Sequence, residues 1–439
     1  MKQVVTIFLK ANRLILVLLL MICQLSLEAS DVWNSPHVMF KSTSKLSIQR
    51  VEFGKDATHV TFEYCATPFS WFRLGSRVVA VDNQGKRHPA TSTSGIELDS
   101  TLWLSESGKA VFSISFTPLP EGCKCFDILS SSNNGGIRIY GIQKRKAKRM
   151  KSSREAISSG TYGDLSSSIT DTLFIRGHFL KDGTSNDLPH EISFSSLKDA
   201  ITGESTVHVS ETGDFKFSIV SSHPIWDNMF GDNQIVQFFG WPGDTLDITI
   251  NQWKRWNESI IYQSKNGKPC FENLMIHGDY MEGASSLDHL NWPDFQRASK
   301  DLLTNGLSLA EYIVRQYGLS EDEAHLLKNQ MKLQYIYRVL FYISNVNAEH
   351  YSHPQLPRMI TKDAFQFLQV INWEDSSIVC TRGWNPYFCR MILQVLLHDV
   401  EYSNSWEKDC AKHIAPYMPD MHELIYHELE KAYEEITTF

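Results

Sequence analysis

Apolar and polar residues alternate along the first part of the sequence. From residue 45 to residue 142 the period is two, most clearly in the runs 60–64 and 112–116, where every second residue is apolar. Turn sequences rich in Asn, Ser and Gly, such as Asn83-Gln84-Gly85, separate these runs. One face of each strand would then lie in a core and the other in water, so the pattern predicts a β-sandwich over residues 45–142.

The alternation returns between residues 171 and 255 and predicts a second β-sandwich there. Its strand candidates are separated by two clear turn sequences. The turn at 211–214 is predicted to join two strands as a hairpin. The turn at 241–244 fits type II geometry, because Pro242 sets φ at the second position and Gly243 accepts a positive φ at the third.

Beyond residue 282 the apolar period shifts toward 3.6, which predicts helices. Ser308 with Glu311, and Ser320 with Glu323, match the capping box, in which the serine accepts from a free backbone N–H and the glutamate reaches back to the cap. Each pair is predicted to open a helix. The segment 282–439 is therefore assigned to an all-α helical domain, and the fold class is multidomain, with two β-sandwich modules followed by helices.

Two more helices are predicted in this domain. The Asn-Pro pair at 385–386 precedes an apolar run and is predicted to begin one of them. Asp420 is predicted to cap the last helix, whose Leu424, Ile425 and Leu429 share an apolar stripe. Because few residues follow that helix and no Gly or Pro ends it, we expect the stripe to serve in part a surface for a further domain or partner.

A basic segment separates the two β modules. Seven Lys or Arg residues lie between Lys144 and Arg154 without a carboxylate among them, and a stretch rich in Ser and Gly follows. Charges this dense repel one another and resist packing, so residues 143–170 are predicted to form a linker. Contact with anionic lipid or polysaccharide is the alternative.

The N-terminus has the pattern of a signal peptide. Lys2, Lys10 and Arg13 precede an apolar run over residues 14–22, and Ala29 offers a small residue at a cleavage point. The run is shorter than the roughly 20 residues that span a bilayer, and no later segment is longer, so no transmembrane span is expected after signal removal. Removal of residues 1–29 predicts a periplasmic or cell-envelope protein. Lipidation of Cys23 is the less favoured alternative, because Ile22 stands where a lipoprotein signal has a small residue.

Composition narrows the class of protein. A chain of 439 residues with 42% hydrophobic and 21% charged residues is globular and long enough for two or three domains. The net charge of −8 argues against nucleic acid as a partner, since binding to phosphates needs a basic face.

No complete catalytic motif is found in the sequence. It has no glycine-rich phosphate loop, no Gly-x-Ser-x-Gly and no Cys-x-x-Cys. His422 and His427 are five residues apart, which on a helix turns the two rings about 140° from each other and disfavours a zinc site. We therefore assign no catalytic, cofactor-binding or metal-binding residue and expect no cofactor.

Seven cysteines remain after signal removal, so at least one is unpaired within the chain. Cys123 and Cys125 form the one close pair, and Lys124 between them would lower a thiol pKa, which makes a redox role an alternative. Cys380 and Cys389 flank an aromatic loop, and a structural disulfide across that loop is expected. The alternative, at least as favoured for the cysteines as a whole, is that they are buried thiols without a bridge.

The β modules resemble a known family. The similarity is carried by Val60-Thr61-Phe62-Glu63-Tyr64, Trp71-Phe72-Arg73-Leu74, Asp82-Asn83-Gln84-Gly85-Lys86, Phe112-Ser113-Ile114-Ser115-Phe116, Ile139-Tyr140-Gly141-Ile142, Gly213-Asp214-Phe215-Lys216-Phe217 and Pro242-Gly243-Asp244-Thr245-Leu246. These segments resemble the N-terminal accessory region of large TlpA-like thiol-disulfide reductases exported by Bacteroidetes. The resemblance implies helices that lead into a thioredoxin domain with Trp-Cys-x-x-Cys. The sequence ends at Phe439 where that domain would begin, so no catalytic residue of the family can be assigned here.

The expected function is therefore that of an exported, non-catalytic binding or scaffold protein, whose partner is an envelope protein, a separate thioredoxin-fold protein or a glycan. Participation in periplasmic thiol-disulfide exchange, by an intact or truncated reductase, is one alternative. Carbohydrate binding through Trp253 and Trp256 is another, although packing in a core or between domains is the favoured role of these two side chains. Reading the DNA beyond Phe439 for an open frame with Trp-Cys-x-x-Cys would distinguish a truncated reductase from a stand-alone protein.

Overall fold

The computed structural model describes residues 31–75, 77–98, 100–131, 137–145, 170–180, 188–194, 205–231, 234–251, 260–277, 287, 289–347, 360, 362–397, 418 and 421–437. The predicted signal peptide, Cys23, most of the predicted linker and Cys410 lie outside these ranges. The described residues fall into two compact units. The first takes them from Met1–Met39, Ser44–Ser130 and Arg138–Lys148, and the second from Phe40–Thr43, Ser131–Ile137 and Arg149–Phe439.

Eleven strands lie within the described residues up to 145. They are β1 (Val32–Asn34), β2 (Phe40–Lys41), β3 (Leu46–Phe53), β4 (Thr58–Cys65), β5 (Trp71–Arg73), β6 (Arg77–Asp82), β7 (Arg87–Ser94), β8 (Thr101–Trp103), β9 (Lys109–Phe116), β10 (Cys125–Ser131) and β11 (Arg138–Gln143). In the first unit, eight of them form one sheet in the order β1-β3-β4-β9-β7-β6-β10-β11, while β5 and β8 pair separately as a two-stranded ribbon.

The large sheet of the first unit folds back on itself. Four strands lie between β3 and β10 in the sheet order, which in a flat sheet would hold the two about 24 Å apart. Phe53 of β3 and Phe126 of β10 nevertheless have ring centroids 6.2 Å apart, and Trp33 of β1 lies 4.6 Å and 5.9 Å from these two rings. The aromatic side chains that alternate along the strands thus meet in one core between the two halves of the sheet.

Within the described residues, eight strands build the β module of the second unit. They are β12 (Asp171–Phe179), β13 (Glu191–Phe194), β14 (Ser205–His208), β15 (Asp214–Ser221), β16 (Ile225–Gly231), β17 (Gln234–Gly240), β18 (Thr245–Ile250) and β19 (Ile260–Ser264). They form two four-stranded sheets, ordered β15-β12-β18-β19 and β14-β13-β16-β17. Residues of both sheets, among them Leu173, Ile248, Met229 and Phe238, share one buried apolar cluster. This module is a β-sandwich.

The two turns predicted in this module have different outcomes. The type II turn is confirmed, because Gly243 has φ of 75° and the backbone N–H of Asp244 donates to the carbonyl of Trp241 at 3.2 Å. The prediction of a hairpin at 211–214 is wrong. A tight turn forms there, with Gly213 at φ of 93°, but β14 pairs with β13 and β15 pairs with β12, so the chain crosses from one sheet to the other.

Helices follow the strands in the second unit. They are α1 (Glu272–His277), α2 (Trp292–Tyr317), α3 (Glu321–Val346), the 3₁₀ helices η1 (Lys362–Val370) and η2 (Ser376–Cys380), α4 (Pro386–Leu397) and α5 (Glu423–Thr437). Strand β19 and helix α1 lie between residue 255, the predicted end of the second β-sandwich, and residue 282, the predicted start of the helical domain. The succession of β sheets and a C-terminal helical region confirms the predicted fold class.

The helix caps show where local sequence decided the structure and where it did not. Ser320 and Glu323 form the predicted capping box at the start of α3. Ser308 was predicted to open a helix, which is wrong, because α2 already begins after Asn291, whose side chain accepts from the backbone N–H of Asp294 at 3.1 Å. In mid-helix the Ser308 hydroxyl instead donates to the Thr304 carbonyl at 2.9 Å.

The last two helices also differ in outcome. Asn385 begins α4 as predicted, since its side chain accepts from the backbone N–H of Phe388 at 3.0 Å. The predicted cap Asp420 lies outside the described residues. Ile425 and Leu429 of α5 are completely buried within the chain. For these two residues the expectation of a surface for a further domain is wrong, because the chain's own side chains cover them.

Candidate binding site on an aromatic ribbon

The ribbon of β5 and β8 is fixed to the core of the first unit through Phe72. Its ring stacks on Tyr64 with centroids 4.4 Å apart and on Phe112 with centroids 5.7 Å apart. Neighbouring residues of a strand point to opposite faces, so burial of Phe72 turns Trp71 and Arg73 outward. The residue types that form the strand thus also decide which face is exposed.

The outer face of the ribbon carries two indole rings. Trp71 pairs directly with Trp103 across the strands, and these side chains are 50% and 67% exposed. Directly opposite residues have Cβ atoms about 5 Å apart, so the two indoles leave the ribbon side by side. Arg73 pairs with Thr101 and is exposed with it on the same face. A guanidinium and a hydroxyl therefore flank the aromatic pair.

A third aromatic residue, Phe69, lies on the turn that leads into β5. The hydroxyl and the backbone N–H of Ser70 both donate to the carbonyl of Thr67, at 2.6 Å and 3.1 Å, which closes the turn. Phe69 has φ of 61° and is 69% exposed. A left-handed conformation costs a bulky residue about 1–2 kcal/mol. The chain thus accepts strain at a position where the ring is not covered.

Together these residues form the aromatic ribbon, which we define as Phe69, Trp71, Trp103, Arg73 and Thr101. Three aromatic side chains of about 200 Å² each, each half exposed or more, present roughly 400 Å² of apolar surface. Patches of this size on a monomer are often functional. The arrangement offers flat rings for stacking and polar groups for hydrogen bonding at their edge.

The cysteine pair of the first unit has different properties from those expected. Cys123 is buried, and its thiol donates to the carbonyl of Cys125 at 3.3 Å. Burial raises the pKa of the Cys123 thiol, and the nearby carboxylate of Asp82 adds to this rise. The expectation that Lys124 lowers a thiol pKa is therefore wrong for Cys123, because burial outweighs the opposing hydrogen bonds with the backbone of Cys125 and Asn83. A thiol of raised pKa is a weak nucleophile.

The expected disulfide across the aromatic loop of the helical region is also not formed. Cys380 and Cys389 are both completely buried, and the structure has both as thiols. Burial raises the pKa of Cys389 well above its usual value, and the carboxylate of Glu428 raises it further. Both residues serve the core as small apolar side chains.

A polar cluster in the second unit was not predicted. His325 Nε2 lies 2.5 Å from Asp375 Oδ2, and the side-chain N–H of Asn329 donates to the same oxygen at 2.9 Å. Ser377 donates its hydroxyl to the other oxygen of Asp375 at 2.6 Å. The Ser377 hydroxyl thus faces the carboxylate of Asp375, and the cluster joins η2 to α3. Fifty residues separate His325 from Asp375, so no local motif could indicate the contact.

His422 accepts from the backbone N–H of Leu424 at 3.1 Å and caps α5. Within the described ranges, no group of three or more His, Cys, Asp or Glu side chains is arranged to hold a metal ion. Trp253 and Trp256 lie outside the described residues. None of the helices in the described part of the chain is long and apolar enough to cross a bilayer.

Comparison with known proteins gives little further information. No family model matches the chain, and no curated protein matches it. Among solved structures, BcpA, the major pilin subunit of Bacillus cereus, is similar over 44% of this chain with 12% identity and a TM-score of 0.14. The Bacillus anthracis TIE protein is similar over 51% of this chain with 11% identity and a TM-score of 0.14. The matches span 64% and 40% of those two proteins, and at these scores they carry no argument about fold or function.

Proposed function

We propose that the protein is an exported, non-catalytic binding or scaffold protein of the cell envelope, and that its aromatic ribbon is the recognition surface. The observation that carries the proposal is the exposure of Phe69, Trp71 and Trp103 on a ribbon anchored in the core. Tryptophan and arginine dominate the binding energy of many recognition surfaces, and Arg73 lies beside the two indoles. The signal-peptide pattern of residues 1–29 supports export.

The chemistry of the ribbon supports binding. Indole, phenyl, guanidinium and hydroxyl groups stack and donate hydrogen bonds, whereas thiol exchange needs an accessible thiolate. Cys123 and Cys389 are buried with raised pKa values, which opposes the alternative of thiol-disulfide exchange through these residues. Kinship to the accessory region of TlpA-like reductases remains part of the proposal and rests on the sequence patterns.

The test compares the mature chain with a variant that lacks the aromatic ribbon, Phe69→Ser/Trp71→Ala/Trp103→Ala. Both are immobilised and exposed to the soluble and the insoluble fractions of a cell envelope. Phe174→Ala is the matched control, because Phe174 is a 52% exposed aromatic residue on a strand of the second unit. We expect the wild type and the control to retain the same envelope component and the triple variant to lose it. Equal retention by all three proteins, or none by the wild type, would refute the proposal.

A further inference from the structure

We propose that the aromatic ribbon binds a polysaccharide chain by stacking on the flat faces of its sugar rings. This inference rests on the proposed function and names the class of ligand. It starts from the pairing of Trp71 with Trp103 and from the polar pair Arg73 and Thr101 next to it.

The size of the surface argues against a protein as the ligand. A stable protein interface buries about 800 Å² on each partner. The aromatic ribbon presents roughly half of that area, since β5 and β8 have three residues each and only alternate side chains face outward. A ligand that satisfies its contacts within this area is a few rings long rather than a folded domain.

The shape of the surface argues against a small apolar molecule. Such ligands bind in concave sites that bury most of their surface, whereas the indoles of Trp71 and Trp103 rise from the outer face of a ribbon. A platform covers only one side of its ligand, so the other side must remain stable in water. A pyranose ring fits this demand, because one flat face is formed by C–H groups while hydroxyls surround the edge.

The polar groups lie where those hydroxyls would be. Arg73 and Thr101 are one pair further along the same face as the two tryptophans. A guanidinium supplies N–H donors in a plane, and a threonine hydroxyl both donates and accepts, which matches ring oxygens and hydroxyls. The platform is also preorganised, because Phe72 beneath it stacks on Tyr64 and Phe112. Little backbone freedom is then lost when a ligand binds.

The experiment measures co-sedimentation of the mature full-length chain with insoluble cellulose, chitin and peptidoglycan, followed by titration calorimetry with cellohexaose, chitohexaose and maltohexaose. We expect at least one of these probes to bind. Trp71→Ala and Trp103→Ala should each weaken that binding about tenfold, as for a lost stacking contact. Trp71→Phe keeps an aromatic ring and should weaken it less. Phe174→Ala is the control that should leave it unchanged.

Several results would overturn the inference. If no probe binds, or if the alanine variants bind as well as the wild type, the aromatic ribbon is not a saccharide site. Retention of an envelope protein that depends on Trp71 and Trp103, without binding to any probe, would refute the saccharide ligand and leave the proposed function standing. If the wild type binds neither an envelope component nor a saccharide probe, both proposals are refuted together. Urea unfolding of each variant shows whether the first unit remains folded.

Discussion

Asp227 is a carboxylate at a position where the alternation of β16 calls for an apolar residue. It lies between Ile225 and Met229 in the strand and pairs with the completely buried Phe238 of β17. Met229 and Phe238 belong to the apolar cluster of the sandwich. Burial raises the pKa of Asp227 from 3.8 to about 7, although the backbone N–H of Asn228 and the charge of Arg382 oppose the rise.

The raised pKa sets the sign of the effect on stability. Below pH 3.8 the carboxyl is neutral in both the folded and the unfolded chain and has no effect. Between pH 3.8 and pH 7 the unfolded chain ionises while the folded chain stays protonated, so the folded state loses stability as the pH rises. Above pH 7 the loss is constant. Asparagine resembles the protonated acid and does not titrate.

The magnitude follows from the same two values. A difference of 3.2 pKa units, from 7 minus 3.8, corresponds to about 4 kcal/mol at 1.36 kcal/mol per unit. Because Asp227 retains partial contact with solvent, we take about half of this. Asp227→Asn should therefore raise the free energy of unfolding by about 2 kcal/mol at pH 8 and leave it unchanged at pH 3.5.

Differential scanning calorimetry at the two pH values measures this effect. For a unit of this size, 2 kcal/mol corresponds to about 4–8 °C in the midpoint of unfolding. Asp247→Asn is the matched control, since Asp247 pairs with Arg176 at 2.6 Å on the surface of the same sandwich. It should lower stability by less than about 1 kcal/mol at pH 8. An Asp227→Asn midpoint that follows the wild type at both pH values would refute the reasoning.

Three further predictions concern single residues. Although burial raises the pKa of Asp375, hydrogen bonds from His325 and Ser377 lower it to about 2. Asp375→Asn should therefore cost about 2 kcal/mol in urea unfolding at pH 7, and this loss should shrink as the pH falls below 3.8. Phe72→Ala should cost about 3–5 kcal/mol in denaturant unfolding of the first unit and also weaken binding by the aromatic ribbon, whereas Trp71→Ala should affect only binding. Gly213→Ala should cost at least about 2 kcal/mol by thermal unfolding, because its Cβ would lie 2.4 Å from a backbone oxygen; an unchanged midpoint would contradict this.

The sequence predicted the fold class because period and burial agree along most strands. The run 60–64 of β4 alternates in burial as it does in polarity, and the capping box at Ser320 formed because its two side chains satisfy each other locally. Pairing between strands was less predictable. The turn at Gly213 has the sequence of a hairpin, but whether the strands on either side of it pair depends on which sheet offers each of them a partner.

The aromatic ribbon shows a second limit of sequence patterns. An apolar period of two indicates that neighbouring residues face opposite sides of a strand, but it does not indicate which side faces the core. In β5 both Trp71 and Phe72 are apolar, and only the stacking of Phe72 on Tyr64 decides that the tryptophan faces water. Because the sequence pattern treats every aromatic residue as a core residue, an outward pair such as Trp71 and Trp103 cannot be recognised from the alternation.

Departures from local rules help to separate function from packing. Phe271, like Phe69, has a positive φ, but its ring is buried against Phe239 at a centroid distance of 4.7 Å, so packing accounts for its strain. The ring of Phe69 is 69% exposed, and packing does not account for its strain. Strain of this kind persists where the surrounding structure imposes it and is concentrated at functional sites. At Phe69 it coincides, two residues before Trp71, with an outward aromatic pair. Asp227, by contrast, is a single departure from the alternation of apolar residues in β16, within the core of the sandwich. The coincidence of two departures on one short ribbon is the stronger reason to place recognition there.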